Sequence, residues 1–252
     1  MRPLIGTSWK MNLTPSEAGA WFAAAVPALS KLDDRDLFVL PPFPAIPIAR
    51  DALCRTDIAW GAQDVHPDEA GAHTGDVSAA MLADLGCRFV EVGHSERRRD
   101  HREGDALIAA KIGAIRRHEM RPLLCVGERT PGPVAAALRN VTRQLRGALG
   151  AVAPAELEHV VVAYEPVWAI GVGAMAAPSE HIEAVHAGIR RWLDAHGASS
   201  TPVLYGGSVD ATNAGPIANL AGVDGLFVGR AALDPDTFIR IASIDIAGGG
   251  TA

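Results

Sequence analysis

The chain has 252 residues, 48% hydrophobic and 21% charged, which is enough apolar material for one sizeable core. Its net charge of -6 argues against nucleic acid or an anionic membrane as partner. Three cysteines, Cys54, Cys87 and Cys125, are odd in number and lack metal spacing, which fits a reducing cytoplasm.

A first strand, Leu4 to Trp9, ends in Lys10 and leaves no room for a signal peptide. Thr14 as N-cap and Pro15 at the first helical position open an Ala-rich helix to about Leu29. Leu37 to Leu40 is a second strand, cut by Pro41-Pro42, and a helix to about Leu53 follows. Ile58 to Gln63 is the third, with a long polar loop from Asp64 to Asp76 and a helix from Ser78 to Leu85 behind it. Arg88 to Val92 is the fourth, and Gly93-His94-Ser95-Glu96-Arg97-Arg98 sits at its end. A helix over Asp105 to His118, a strand from Pro122 to Val126 ending in Gly127-Glu128, and a helix from about Pro133 to Leu149 come next.

The sixth strand, Val160 to Tyr164, delivers Glu165 to its end, and Pro166 stops it because proline has no N–H for the ladder. The loop beyond is apolar, carries glycines and contains Trp168. Beside a lone acid, such a loop reads as a lid that closes and excludes water. The plainer reading is a loop packed on the core. A helix from Ser179 to His196 leads to the seventh strand, Val203 to Tyr205, closed by Gly206-Gly207-Ser208. After a short helix near Asn213 to Asn219, the eighth strand, Leu226 to Val228, is closed by Gly229-Arg230, and a last helix spans Pro235 to Ile241. The tail, 244–252, is expected to be disordered.

Strand and helix thus alternate eight times, and the strands lack polar alternation, as expected where both faces are buried. Eight such units predict one α/β domain over residues 1–252, a closed (β/α)8 barrel. An open doubly wound sheet is the alternative, but no Gly-rich dinucleotide turn follows the first strand. No apolar run reaches membrane-spanning length. In a barrel, Lys10, His94, Glu165 and Gly206-Gly207-Ser208 converge on one mouth, where such folds place their sites. Singly, the lysine reads as a surface charge and the histidine as structural. The Gly-Gly-Ser turn before a short helix offers a phosphate nest. His66, His73 and His101 read as surface histidines, and no metal site is expected.

Trp9-Lys10-Met11-Asn12, Gly93 to Arg98, Ala163 to Gly171 and Leu204 to Val209, in this order, resemble the triosephosphate isomerase family, and the likeness runs from Leu4 to about Ile241. The resemblance implies a TIM barrel that interconverts dihydroxyacetone phosphate and glyceraldehyde 3-phosphate through an enediol(ate), without a cofactor. By that resemblance Glu165 is the base and His94 a donor kept neutral by a helix N-terminus. Lys10 supplies fixed positive charge, and Glu96 helps order the site. Ser8 lies beside the substrate, and Gly171, Gly206, Gly207, Ser208, Gly229 and Arg230 surround the phosphate. The family pattern further implies a cytoplasmic homodimer. In it the loop from Asp64 to Asp76 carries Thr74 to the partner's site, with Gln63, Ser95 and Arg97 in support.

Three departures from the family pattern stand out. Its asparagine two residues before the lysine is Ser8; the second half of the lid reads Val172-Gly173-Ala174-Met175-Ala176; and its eighth-strand glycine pair is Gly229-Arg230. A smaller pocket residue and an added cation suit a larger substrate. In this the chain is similar to isomerases of four-carbon ketose phosphates such as erythrulose phosphate. A catalytically silent barrel that binds a phosphate ligand is the alternative from another class, because folds do not fix function.

Overall fold

The computed structural model describes residues 2–171 and 173–246. Eight strands alternate with helices in it: β1 Leu4–Ser8, α1 Pro15–Leu29, β2 Asp36–Leu40, α2 Ile46–Leu53, β3 Ala59–Ala62, α3 Ala79–Asp84 and β4 Phe89–Val92. Next come α4 Ser95–Asp100, α5 Asp105–Arg117, β5 Arg121–Val126, α6 Val134–Leu149, α7 Pro154–Leu157 and β6 Val161–Tyr164. The chain closes with α8 Ser179–Ala195, β7 Val203–Tyr205, α9 Ala214–Ala218, β8 Gly225–Val228 and α10 Pro235–Ala242. All neighbouring strands pair in parallel, and β1 also pairs with β8 (Leu4 opposite Gly225), which closes the barrel. The (β/α)8 expectation is met.

Strand residues point alternately into the barrel and out to the helices. The inner cluster comprises Leu4, Phe38, Leu40, Phe89, Leu123, Cys125, Val161, Ala163, Leu204 and Phe227. Phe38 lies between Phe89 and Phe227, with centroids 4.7 and 5.8 Å away and planes within 22°. Its ring occupies the space a β-carbon on Gly6 would need, so β1 carries glycine there. The helices cover the outer faces. In α1 a capping box between Thr14 and Glu17 fixes the start, as the Thr14-Pro15 signal suggested. Trp21 and Phe22 of α1 pack on Trp9 at 4.9 and 5.2 Å, anchoring the residue before Lys10.

Two helices were not anticipated. Five of the six residues of α4 are charged and none is buried, so its sequence has no apolar period to read. The single turn α7 is too short to show one. The expected disordered tail needs correction at its start. Arg35 donates to the carbonyls of Ala242 and Ile244, and Ile244 and Ile246 pack against the core. The rest of that tail, from 247 on, and Val172 of the lid lie outside the described residues.

Candidate active site

Beyond the C-terminal ends of the strands lies a cleft of about 720 Å³. Its walls include Ser8, Lys10, His94, Glu96, Glu165, Gly171, Gly206, Gly207, Ser208, Gly229 and Arg230, together with Glu91. The predicted catalytic and phosphate residues thus share one cavity.

Lys10 follows β1 with φ of 53°, a left-handed conformation that a lysine adopts at a cost of about 1–3 kcal/mol. Neighbours over-determine it. Gln63 donates to the carbonyls of Lys10 (3.0 Å) and Leu40 (2.9 Å), and Asn12 donates to that of Trp9 (2.7 Å). The ammonium of Lys10 meets Glu96 at 2.8 Å. Burial works to lower its pKa, but the facing carboxylates of Glu165, Glu96 and Glu91 outweigh burial and raise it.

His94 is the N-cap of α4. Its Nδ1 accepts from the backbone N–H of Glu96 at 3.2 Å, so the neutral ring carries its proton on Nε2. Burial, then the Lys10 charge, depress its pKa to about 4, which keeps the ring neutral. Nε2 lies 3.4 Å from Glu165 Oε2, and that oxygen is buried without a hydrogen-bond partner. Glu165 is 5% exposed, and burial followed by the charge of Glu91 raises its pKa to about 8 against the pull of Lys10. A β-carbon on Gly206 would lie 2.8 Å from Glu165 Cγ, so this glycine leaves room for the acid.

At the other end of the cleft Gly171 has φ of 132°, a value that favours glycine. Ser208 is already engaged, because its N–H (3.0 Å) and hydroxyl (2.9 Å) both donate to the carbonyl of Ala169. A phosphate taken by that N–H therefore trades against a contact of the lid. Arg230 is exposed at the rim beside Gly229. The lid has two further ties: Trp168 Nε1 donates to buried Glu128 at 2.7 Å, and the N–H of Ala177 donates to the Tyr205 hydroxyl at 3.1 Å. Tyr164 and His181 complete the Glu128 cluster.

The hydroxyl of Ser8, on the cleft wall, donates to the carboxyl of Glu91 from β4 at 2.7 Å. Glu91 was missed in the sequence. The available signal was an acid at the same parity as inward Phe89, in a strand expected to be buried on both faces. Glu128 was missed because its partners are 36 to 53 residues away.

The residues expected to support a partner do not line the cleft. Thr74 is exposed, and Ser95 begins α4. Arg97 meets Asp64 at 2.6 Å and Glu103 at 2.8 Å, with Lys111 bridging the same two acids. The histidine reading needs one amendment: His66 and His73 come together with Asp68, their ligating atoms within 4.8 Å.

Residues 3–245 match the family described as triosephosphate isomerase. A triosephosphate isomerase of Thermus thermophilus is 46% identical over 96% of this chain and 98% of its own length. That of Mycobacterium avium is 43% identical over 98% of both chains. The crystal structure of triosephosphate isomerase from Bartonella henselae superposes with a TM-score of 0.83 at 34% identity, covering 96% of this chain and 98% of its own. With the barrel, the buried acid and the capped histidine in one cleft, this likeness over nearly the whole chain means that the chain belongs to the triosephosphate isomerase family.

Proposed function

We propose that this chain interconverts dihydroxyacetone phosphate and glyceraldehyde 3-phosphate by proton transfer through an enediolate. The observation that carries the reading is Glu165: a buried carboxylate with one unpartnered oxygen, 3.4 Å from the proton-bearing nitrogen of His94. Isomerisation needs one base over two adjacent carbons and donors at the two oxygens of the intermediate. Glu165 takes the proton from the carbon next to the carbonyl, then returns it to the neighbouring carbon, while His94 gives its Nε2 proton to the oxygen that becomes the new hydroxyl and regains one from the oxygen that becomes the new carbonyl. Triosephosphate isomerase is itself the standard worked example of such a base, neutral histidine and closing lid, so these roles come with the family.

Lys10 adds fixed positive charge near the oxygens, and Glu96 holds the Lys10 ammonium. Gly171, Gly207, Ser208, Gly229 and Arg230 serve the phosphate end, and Gly206 makes room for the base. The lid matters because an exposed enediol phosphate eliminates phosphate instead of isomerising. The working form is a cytoplasmic homodimer in which Thr74, exposed on the long loop, reaches the partner's cleft. Three free cysteines support the location.

The test is isomerisation of both triose phosphates by purified protein beside Glu165→Gln. The variant should lose about 10²- to 10⁴-fold in kcat with little change in Tm. Equal activity of the two proteins would remove Glu165 as the base. Light scattering should give the mass of two chains, and a single-chain mass in the active protein would refute the dimer.

A further inference from the structure

Glu91 is a buried acid that the isomerisation scheme does not use. It follows inward-facing Phe89 by two residues, so it points into the barrel just above the aromatic plug. It is 2% exposed yet borders the cleft. Its Oε2 accepts from Ser8 Oγ at 2.7 Å, and its Oε1 from Cys125 Sγ at 3.6 Å. A carboxyl buried directly above a packed apolar interior is costly, and two placed donors show that the site is shaped to receive it.

We infer that Glu91, held by Ser8, is a positioning residue of this isomerase whose negative charge makes Glu165 a stronger base. The inference rests on the isomerase reading. Charged and titratable groups surround Glu91 from each neighbouring element: Lys10 after β1, Glu96 at α4 and Cys125 on β5 act on it directly, Glu165 after β6 feels its charge, and His94 lines the same cleft. Lys10 is paired with Glu96 at 2.8 Å, and His94 is neutral. Glu91 and Glu165 are therefore left as like charges competing for a proton, and each makes the other harder to ionise. Burial pushes Glu91 up to about 7, while the Ser8 bond and Lys10 work against that rise. Cys125, a buried thiol raised by burial and by both acids, stays protonated and donates.

The test is the pH profile of kcat/KM, which reports the base of the free enzyme. Glu91→Gln keeps an acceptor for the Ser8 hydroxyl and nearly the same volume, and removes the charge. Glu165 should then lose its proton more easily, so the acidic limb should move to lower pH by about one unit. An independent route is Ser8→Ala, which removes a donor that favours the ionised form of Glu91. Glu91 then holds its proton to higher pH, and the limb should again move down, by less. A buried glutamate that only fills space would change activity or stability without moving the limb.

Infrared titration of the carboxyl bands in unliganded wild type and Glu91→Gln reads the same coupling without turnover. A limb and a Glu165 titration unmoved in both folded variants would overturn the inference. An active wild type with unmoved limbs would sink this inference alone. A wild type inactive on both triose phosphates, whose Glu165 band still moves in Glu91→Gln, would sink the isomerase reading and leave the coupling in place.

Discussion

Gly206→Ala tests how tightly the base is held. The glycine follows β7, and its N–H bonds to the carbonyl of Tyr164, so its backbone is fixed by the sheet. Its φ lies outside the positive range, and alanine brings no backbone strain. The added β-carbon would lie 2.8 Å from Glu165 Cγ and 3.0 Å from Oε1, where ordinary contacts begin at 3.4 Å. Glu165 must therefore retreat by about 0.6 Å, the gap between 2.8 and 3.4 Å. A misplacement of about 1 Å costs on the order of 10²-fold in rate, so this shift should lower kcat by roughly ten- to twentyfold. KM should change little, because the phosphate end of the cleft is untouched. A coupled assay in both directions, with Tm as control, reads the split between kcat and KM. Wild-type kcat in a fully folded Gly206→Ala protein would show that the base tolerates displacement, and the reasoning from contact distance would fail.

His94 couples the site to stability. Its folded pKa of about 4 lies below the ordinary 6.5, so the unfolded chain binds the proton between those values and stability falls as pH falls through that window. The loss is about 3 kcal/mol by the pH at which both states are protonated. Denaturant titrations from about pH 6.5 to about pH 4 should show a steeper loss in wild type than in His94→Asn, which keeps an N-cap; buried His186, also depressed to about 4, contributes alike to both proteins, and parallel slopes would refute the reasoning. Lys111, 3% exposed, bridges Asp64 and Glu103 at 2.7 and 2.6 Å. Lys111→Met leaves those acids to Arg97 alone and should cost about 3–5 kcal/mol, read by the same titration; a loss under about 1 kcal/mol would mean that Arg97 and water suffice.

The barrel was legible because each strand is a short apolar run with a punctuating Gly, Pro or charge at its end. The same punctuation exposed Lys10, His94, Glu165 and Gly206-Gly207-Ser208, since the residues that leave a strand are the ones that face the cleft. Features that depend on contacts across the barrel were not legible. Nothing local says that Gln63 clamps the Lys10 carbonyl, or that Glu128 gathers Tyr164, Trp168 and His181 under the lid. The partner of Ser8 was hidden for the same reason, because the group that meets it comes from β4, 83 residues away.

Glu91 shows what a motif cannot convey. Moving up the strands in steps of two, Gly6 gives way to Ser8, Phe89 to Glu91, Leu123 to Cys125 and Ala163 to Glu165. Each step crosses from the packed interior to the mouth, because a period of two keeps the side chain pointing inward. The low dielectric below and the charges above therefore meet along one boundary. A carboxyl placed there is pressed to keep its proton by burial and pressed to lose it by Lys10, as Glu91 and Glu165 both are. A base poised near neutral pH is thus a property of that boundary layer, and substitutions at Ser8, Glu91 or Cys125 should register at Glu165 even though none of the three carries out the proton transfer.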